Sequence, residues 1–130
     1  MKPKLPFYIH KVGAGFPSPA TDYIEDDIDL NSYLIKNSPA TFIIRVQGKS
    51  MTDVGIHDGD LLIVDRSINP KNSSTVIANV NEELVVKTFI KEKGNNFLTS
   101  GSKKIKDKIE LNEDPNVIIW GIVTYVIHKL

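Results

Sequence analysis

From Thr41 to its end the chain breaks into short β-branched, apolar runs, each closed by a turn signal, and this punctuation limits the folds open to it. Thr41 to Val46 is the first run. Leu61-Leu62-Ile63-Val64 lies between Asp60 and Asp65, Thr75 to Val80 and Leu84 to Ile90 follow, a weaker strand lies near Phe97, and Val117 to Ile127 is the longest. Asp58-Gly59, Asn69-Pro70, the stretch Asn79 to Glu82, Gly94-Asn95 and Asp114-Pro115 separate them. One helical segment precedes the runs. In Asp29 to Asn37, Asp29 is placed to cap, Leu30, Tyr33 and Leu34 share a face, and Pro39 lies just beyond the end. The expectation is a mainly β fold of folded or partly closed sheets with one short helix.

Residues 1–27 read differently. Pro3, Pro6, Pro17 and Pro19 remove backbone donors, and Gly13 and Gly15 loosen the chain between them. Gly13 to Pro19 suits an extended, mobile segment. The acidic cluster Asp22, Glu25, Asp26, Asp27 and Asp29 reads as a solvated face, and Lys103 to Lys108 as a charged loop that aids solubility. The expected organisation is a mobile N-terminal arm, 1–27, and a β domain, 28–130.

Length and composition narrow the function classes. The 130 residues suffice for one domain. Sixteen basic residues cancel sixteen acidic ones, so no strong direct binding to nucleic acid is expected. Without cysteine there is no disulfide scaffold, thiol nucleophile or thiolate metal site. The run Val117 to Ile127 falls short of the roughly 18–20 residues that span a bilayer. The proline-rich start leaves no room for a secretory signal core. These features read as a soluble, cytoplasmic protein without a membrane partner. His10, His57 and His128 have no metal-ligand spacing, Asp58-Gly59-Asp60 lacks the rest of a calcium loop, and no glycine-rich phosphate loop is present. No metal or cofactor is expected.

Two residues carry candidate chemistry. Alternation along Leu84 to Ile90 puts Lys87 with Val85 and Phe89 on one apolar face. Burial disfavours an ammonium ion, so a lysine so placed can act as a base near neutral pH. The strand alone equally allows a lysine whose stem packs while its head reaches water. Ser50, in Gly48-Lys49-Ser50-Met51, follows the first strand on a sharp turn. That position offers its hydroxyl openly, with backbone N–H groups nearby to face an oxyanion. Alone it is equally a turn or cap serine.

Taken together, Gly48-Lys49-Ser50-Met51, then Gly55-Ile56-His57-Asp58-Gly59-Asp60-Leu61-Leu62-Ile63-Val64-Asp65, then Val86-Lys87, resemble the LexA/UmuD-type self-cleaving serine peptidases in order and spacing. Trp120-Gly121-Ile122-Val123 looks like that family's last core strand. The likeness is closest to the UmuD, SOS-mutagenesis branch. Gly15-Phe16-Pro17-Ser18-Pro19-Ala20 resembles the segment after its cleavage site, and Ile28-Asp29-Leu30-Asn31 and Leu34-Ile35 resemble its first helix. The resemblance runs from about residue 13 to about residue 127. Lys49 departs from the acidic residue often found there, but its expected contribution is a backbone N–H. Ala14 fits the small residue found before the cut.

The resemblance implies Ser50 as nucleophile, Lys87 as general base, backbone N–H groups of Lys49 and Ser50 around the oxyanion, and a cut between Ala14 and Gly15. It implies stimulation by a RecA filament on single-stranded DNA. It further implies that the trimmed chain, as a homodimer, joins a UmuC-like polymerase for translesion synthesis. Two other roles stay open. One is a non-cleaving polymerase accessory subunit on the same fold. The other is a phage or plasmid SOS regulator that binds a repressor or RecA.

Overall fold

Val117–Ile127 is rich in Val and Ile, and branched side chains pack well on a pleated surface. In the computed structural model it forms the long strand on which the main sheet is built. The structure describes residues 5–8, 24–49, 51–101, 108–111 and 115–130. In chain order the strands are β1 (Leu5–Tyr8), β2 (Ile24–Ile28), β3 (Thr41–Arg45), β4 (Leu61–Asp65), β5 (Thr75–Val80), β6 (Glu83–Glu92), β7 (Asn95–Thr99), β8 (Ile109–Glu110) and β9 (Val117–Ile127), with helix α1 at Leu30–Leu34. The mainly β class and the short helix are as the sequence predicts. Two compact units are present, one ending at Lys36 and one starting at Asn37.

In the first unit β1 pairs antiparallel with β2, from Leu5 opposite Ile28 to Tyr8 opposite Ile24, with an irregularity between Phe7 and Tyr8. Asp29 caps α1 as predicted, its Oδ1 accepting the Asn31 N–H at 3.1 Å. Phe7 meets the Tyr33 ring edge-on at 6.4 Å. The sequence reading assigned no strand to Leu5–Tyr8 or to Ile24–Ile28. The rest of the expected arm, including Gly13 to Pro19, lies outside the described residues.

The second unit is a seven-stranded sheet in the order β3-β4-β9-β5-β6-β7-β8, with antiparallel pairing throughout. Its longest strand, β9, serves two neighbours in turn. Ile122 to Ile127 pairs with β4 and Val117 to Ile122 pairs with β5, each ladder broken by one register shift. Such irregularities bend a strand and increase its twist. At the handover sits Gly121, where a Cβ would come within 2.6 Å of Val64 Cγ1. Only a residue without a side chain lets β4 and β9 approach so closely there.

Alternation divides the core between the two faces of β5. Ile77 joins Val46, Met51, Ile56, Leu62 and Val64 in one cluster, and Val76 and Ala78 join Phe89, Leu98, Val117 and Ile122 in the other. Covering both faces explains why these strands read as nearly continuous apolar runs. Among the described residues no helix is long and apolar enough to cross a membrane.

Candidate active site

Tight hairpins deliver Lys87 to its place. Asn81 and Glu82, both with positive φ, turn β5 into β6, and Lys93 and Gly94, also with positive φ, turn β6 into β7. Two successive residues with positive φ match the right-handed twist of a hairpin. The first turn fixes Lys87 opposite Val76, and the second fixes Thr88 opposite Thr99. Lys87 is half-buried, and its Nζ donates to Ser100 Oγ at 2.7 Å. Its neighbours Val76, Thr88 and Phe89 are buried, and Lys87 itself sits where the packed sheet gives way to a cleft.

That cleft measures about 550 Å³. Residues 44–48, from the end of β3 and the following turn, line one part, and residues 83–87 of β6 line another, with Met51 and Ile77 between them. Both bordering strands offer backbone to it. β3 is the terminal strand of its sheet. β7 pairs only with Thr88 to Glu92 of β6, so among the described residues Glu83 to Lys87 pairs on one side alone, with β5. An extended peptide entering such a slot finds free backbone donors and acceptors.

Ser50 lies outside the described residues, and so do Ala14 and Gly15 of the expected cut. The loop from Val46 to Asp60 is closed at its base, where Val46 N–H donates to Asp60 O and Gly59 N–H to Val46 O, both at 2.8 Å. Gly48 N–H donates to Asp58 Oδ1 at 2.8 Å, which holds the start of the turn. Lys49 is exposed, whereas Met51 is 2% exposed and packs in the first core cluster. Burial of Met51 therefore anchors the chain immediately after Ser50. The Met51 carbonyl accepts from Val54 and Ile56 N–H, closing the 3₁₀ turn Thr52–Val54.

Sequence reasoning did not single out three other residues at this loop. The first is Asp60, read as part of a turn and of the family-like stretch Gly55 to Asp65 but given no role. The residue is 3% exposed, and its carboxylate accepts His57 N–H at 2.8 Å through Oδ2 and contacts His128 Nδ1 at 2.6 Å through Oδ1. Burial acts to raise its pKa, but the bonds from His128 and His57 and the nearby imidazole charges outweigh it and hold the carboxyl below its ordinary value. The other two are Ser100 and Gly101. Gly101 N–H donates to Met51 Sδ at 3.0 Å, and a Cβ on Gly101 would overlap Asp53 Oδ1. The end of β7 is thus pressed against the loop that carries Ser50. Only the hairpin register could have drawn attention to Ser100, and Asp60 and His128 are too far apart in sequence to suggest a pair.

Asp60 yields an acid-side prediction. Because the folded carboxyl holds its proton less tightly than the unfolded one, its stabilisation is complete above the ordinary carboxylate range, about pH 4, and is lost as pH falls below it. Melting temperatures of the wild type and Asp60→Asn, measured from about pH 6 down to about pH 3, are expected to converge as the pH drops. Parallel curves would contradict this role.

The comparisons with known proteins agree on one family. A family model described as Peptidase S24-like matches residues 6–124. Protein ImpA of Escherichia coli is 40% identical over 126 residues, covering 95% of this chain and 83% of ImpA. Protein MucA of Salmonella typhimurium is 37% identical over 121 residues, covering 93% of this chain and 82% of MucA. The LexA repressor of Acetivibrio thermocellus is 38% identical over 123 residues, but this chain spans only 55% of its length.

Proposed function

We propose that this chain, which belongs to the Peptidase S24-like family of serine peptidases as a UmuD-like member, cuts its own backbone once, between Ala14 and Gly15. The observation that carries the proposal is Lys87, half-buried at a cleft bordered by two strand edges. A lysine there can exchange a proton with a group inside the cleft, and the edges can hold an extended peptide beside it.

In this reading neutral Lys87 Nζ takes the proton of Ser50 Oγ as that oxygen bonds to the carbonyl carbon of Ala14. The negative charge that forms on the Ala14 oxygen is met by backbone N–H groups of Lys49 and Ser50. The bond from that carbon to the Gly15 nitrogen then breaks, and Lys87 returns the proton to the departing nitrogen. Water, deprotonated by Lys87, hydrolyses the Ser50 ester and frees the enzyme. The products are residues 1–14 and 15–130. Because the substrate is tethered, its effective concentration is high and a modest catalyst suffices.

The arm, residues 1–27, is the regulated element of the β domain, 28–130. A RecA filament on single-stranded DNA that binds the cleavable arrangement more tightly shifts the population toward it. The trimmed homodimer then serves as the subunit of a UmuC-like DNA polymerase in SOS mutagenesis. The likeness to ImpA and MucA over most of their length supports this role above that of a repressor.

Self-cleavage without a partner tests the chemistry. Its rate is expected to rise steadily from neutral to alkaline pH, as the neutral amine of Lys87 becomes more abundant. The measurement is the fraction of shortened chain against time at each pH. A flat profile would rule out a lysine base.

A further inference from the structure

We infer that Ser100 is the positioning residue for Lys87, an inference that rests on the base role proposed above for that lysine. Extending the β6–β7 register by one residue from Thr88 and Thr99 sets Ser100 opposite Lys87, and its Oγ accepts from Nζ at 2.7 Å. Ser100 is 6% exposed and is not among the residues that line the cleft. It is therefore not placed to attack a substrate carbonyl, and its hydroxyl serves the lysine.

The consequence for the base is directional. A neutral amine has two N–H bonds and one lone pair. Committing one N–H to a fixed acceptor restricts where the lone pair can point, and the cleft is the open side of this lysine. A flexible four-carbon stem would otherwise spread the nitrogen over many rotamers. Positioned groups outperform mobile ones because the entropy of alignment is already lost in the folded protein.

Ser100 is itself held. Thr99 Oγ1 donates to Gly101 O at 2.9 Å and Gly101 N–H donates to Met51 Sδ at 3.0 Å, so the residues on both sides of Ser100 are tied down. The second of those bonds reaches the residue immediately after Ser50. One short segment, Thr99 to Gly101, thus touches both the base and the chain beside the proposed nucleophile. It sets Lys87 and the Ser50 loop in a common frame.

The test uses the full chain at a fixed alkaline pH, with the rate of self-cleavage and the melting temperature measured for each variant. Ser100→Ala and Ser100→Cys keep a similar volume without a strong acceptor, and each is expected to cleave about tenfold more slowly, the scale of one lost positioning hydrogen bond. Ser100→Thr keeps the hydroxyl and is expected to recover most of the rate, which a purely packing role would not produce. A variant whose melting shows loss of the fold is set aside and the remaining ones decide. A folded Ala or Cys variant at the wild-type rate, or a folded Thr variant as slow as those two are expected to be, would overturn the inference. Lys87→Ala is run in parallel. If it cleaves normally the base assignment fails, whereas if it is inert while Ser100→Ala is fast only the role of Ser100 fails.

Discussion

Lys87→Ala and Ser50→Ala are each expected to abolish release of residues 1–14 while leaving the protein folded. Without a base the serine hydroxyl is a poor nucleophile, and without the hydroxyl the lysine has nothing to activate. Losing one member of such a unit costs about 10⁴-fold or more in rate. The structural cost of Lys87→Ala is small by comparison. Lys87 is only half-buried, and the substitution gives up its hydrogen bond to Ser100. A loss on the order of 1 kcal/mol lowers the melting temperature by a few degrees. Intact chain after prolonged alkaline incubation, together with a cooperative melt close to that of the wild type, is the expected pair of results. A variant that still cuts between Ala14 and Gly15 would show that the dyad is misassigned.

Ile77→Ala is expected to have the largest effect on stability. Ile77 is 1% exposed, lies at the middle of β5 between Val86 on β6 and Gly121 on β9, and belongs to the first core cluster. It also lines the cleft. Its truncation removes contacts in the core and leaves a void that strands pinned on both sides cannot easily close. The expected loss is about 2–5 kcal/mol, a large part of a typical domain's 5–15 kcal/mol. The midpoint of denaturant unfolding measures it. A loss below about 1 kcal/mol would mean that the neighbours collapse into the space, and that the wall of the cleft is softer than the packing indicates.

Much of the second unit was legible from its punctuation. Thr75–Val80 and Val117–Ile127 have the bounds the sequence predicts, because Asn81 closes the first β-branched run and Pro115-Asn116 opens the second. The turn predicted at Gly94-Asn95 falls one residue earlier, at Lys93 and Gly94. That single step matters, since the hairpin register is what sets Ser100 opposite Lys87. β2 was hidden by Glu25, Asp26 and Asp27, residues that disfavour strands, and β1 by Pro6. Their pairing is a contact across the chain, which local propensity does not reveal. β8, with only Ile109 and Glu110, is too short to carry a pattern.

The candidate site was legible to the same degree. Lys87 could be found because one charge interrupts an apolar strand. The cleft beside it could not, because it depends on where β7 stops pairing with β6 and on which strand ends the sheet. Met51 reads as an ordinary residue of a turn. Its role in anchoring the loop follows from burial against Val46, Ile56, Leu62, Val64 and Ile77, which arrive from β4, β5 and the loop itself.

The most direct test of the proposed function is the mass of the chain after incubation with a RecA filament assembled on single-stranded DNA. The account predicts two products, residues 1–14 and 15–130, whose masses place the cut between Ala14 and Gly15. An unchanged intact mass under those conditions and at alkaline pH, or a cut at any other bond, would contradict it.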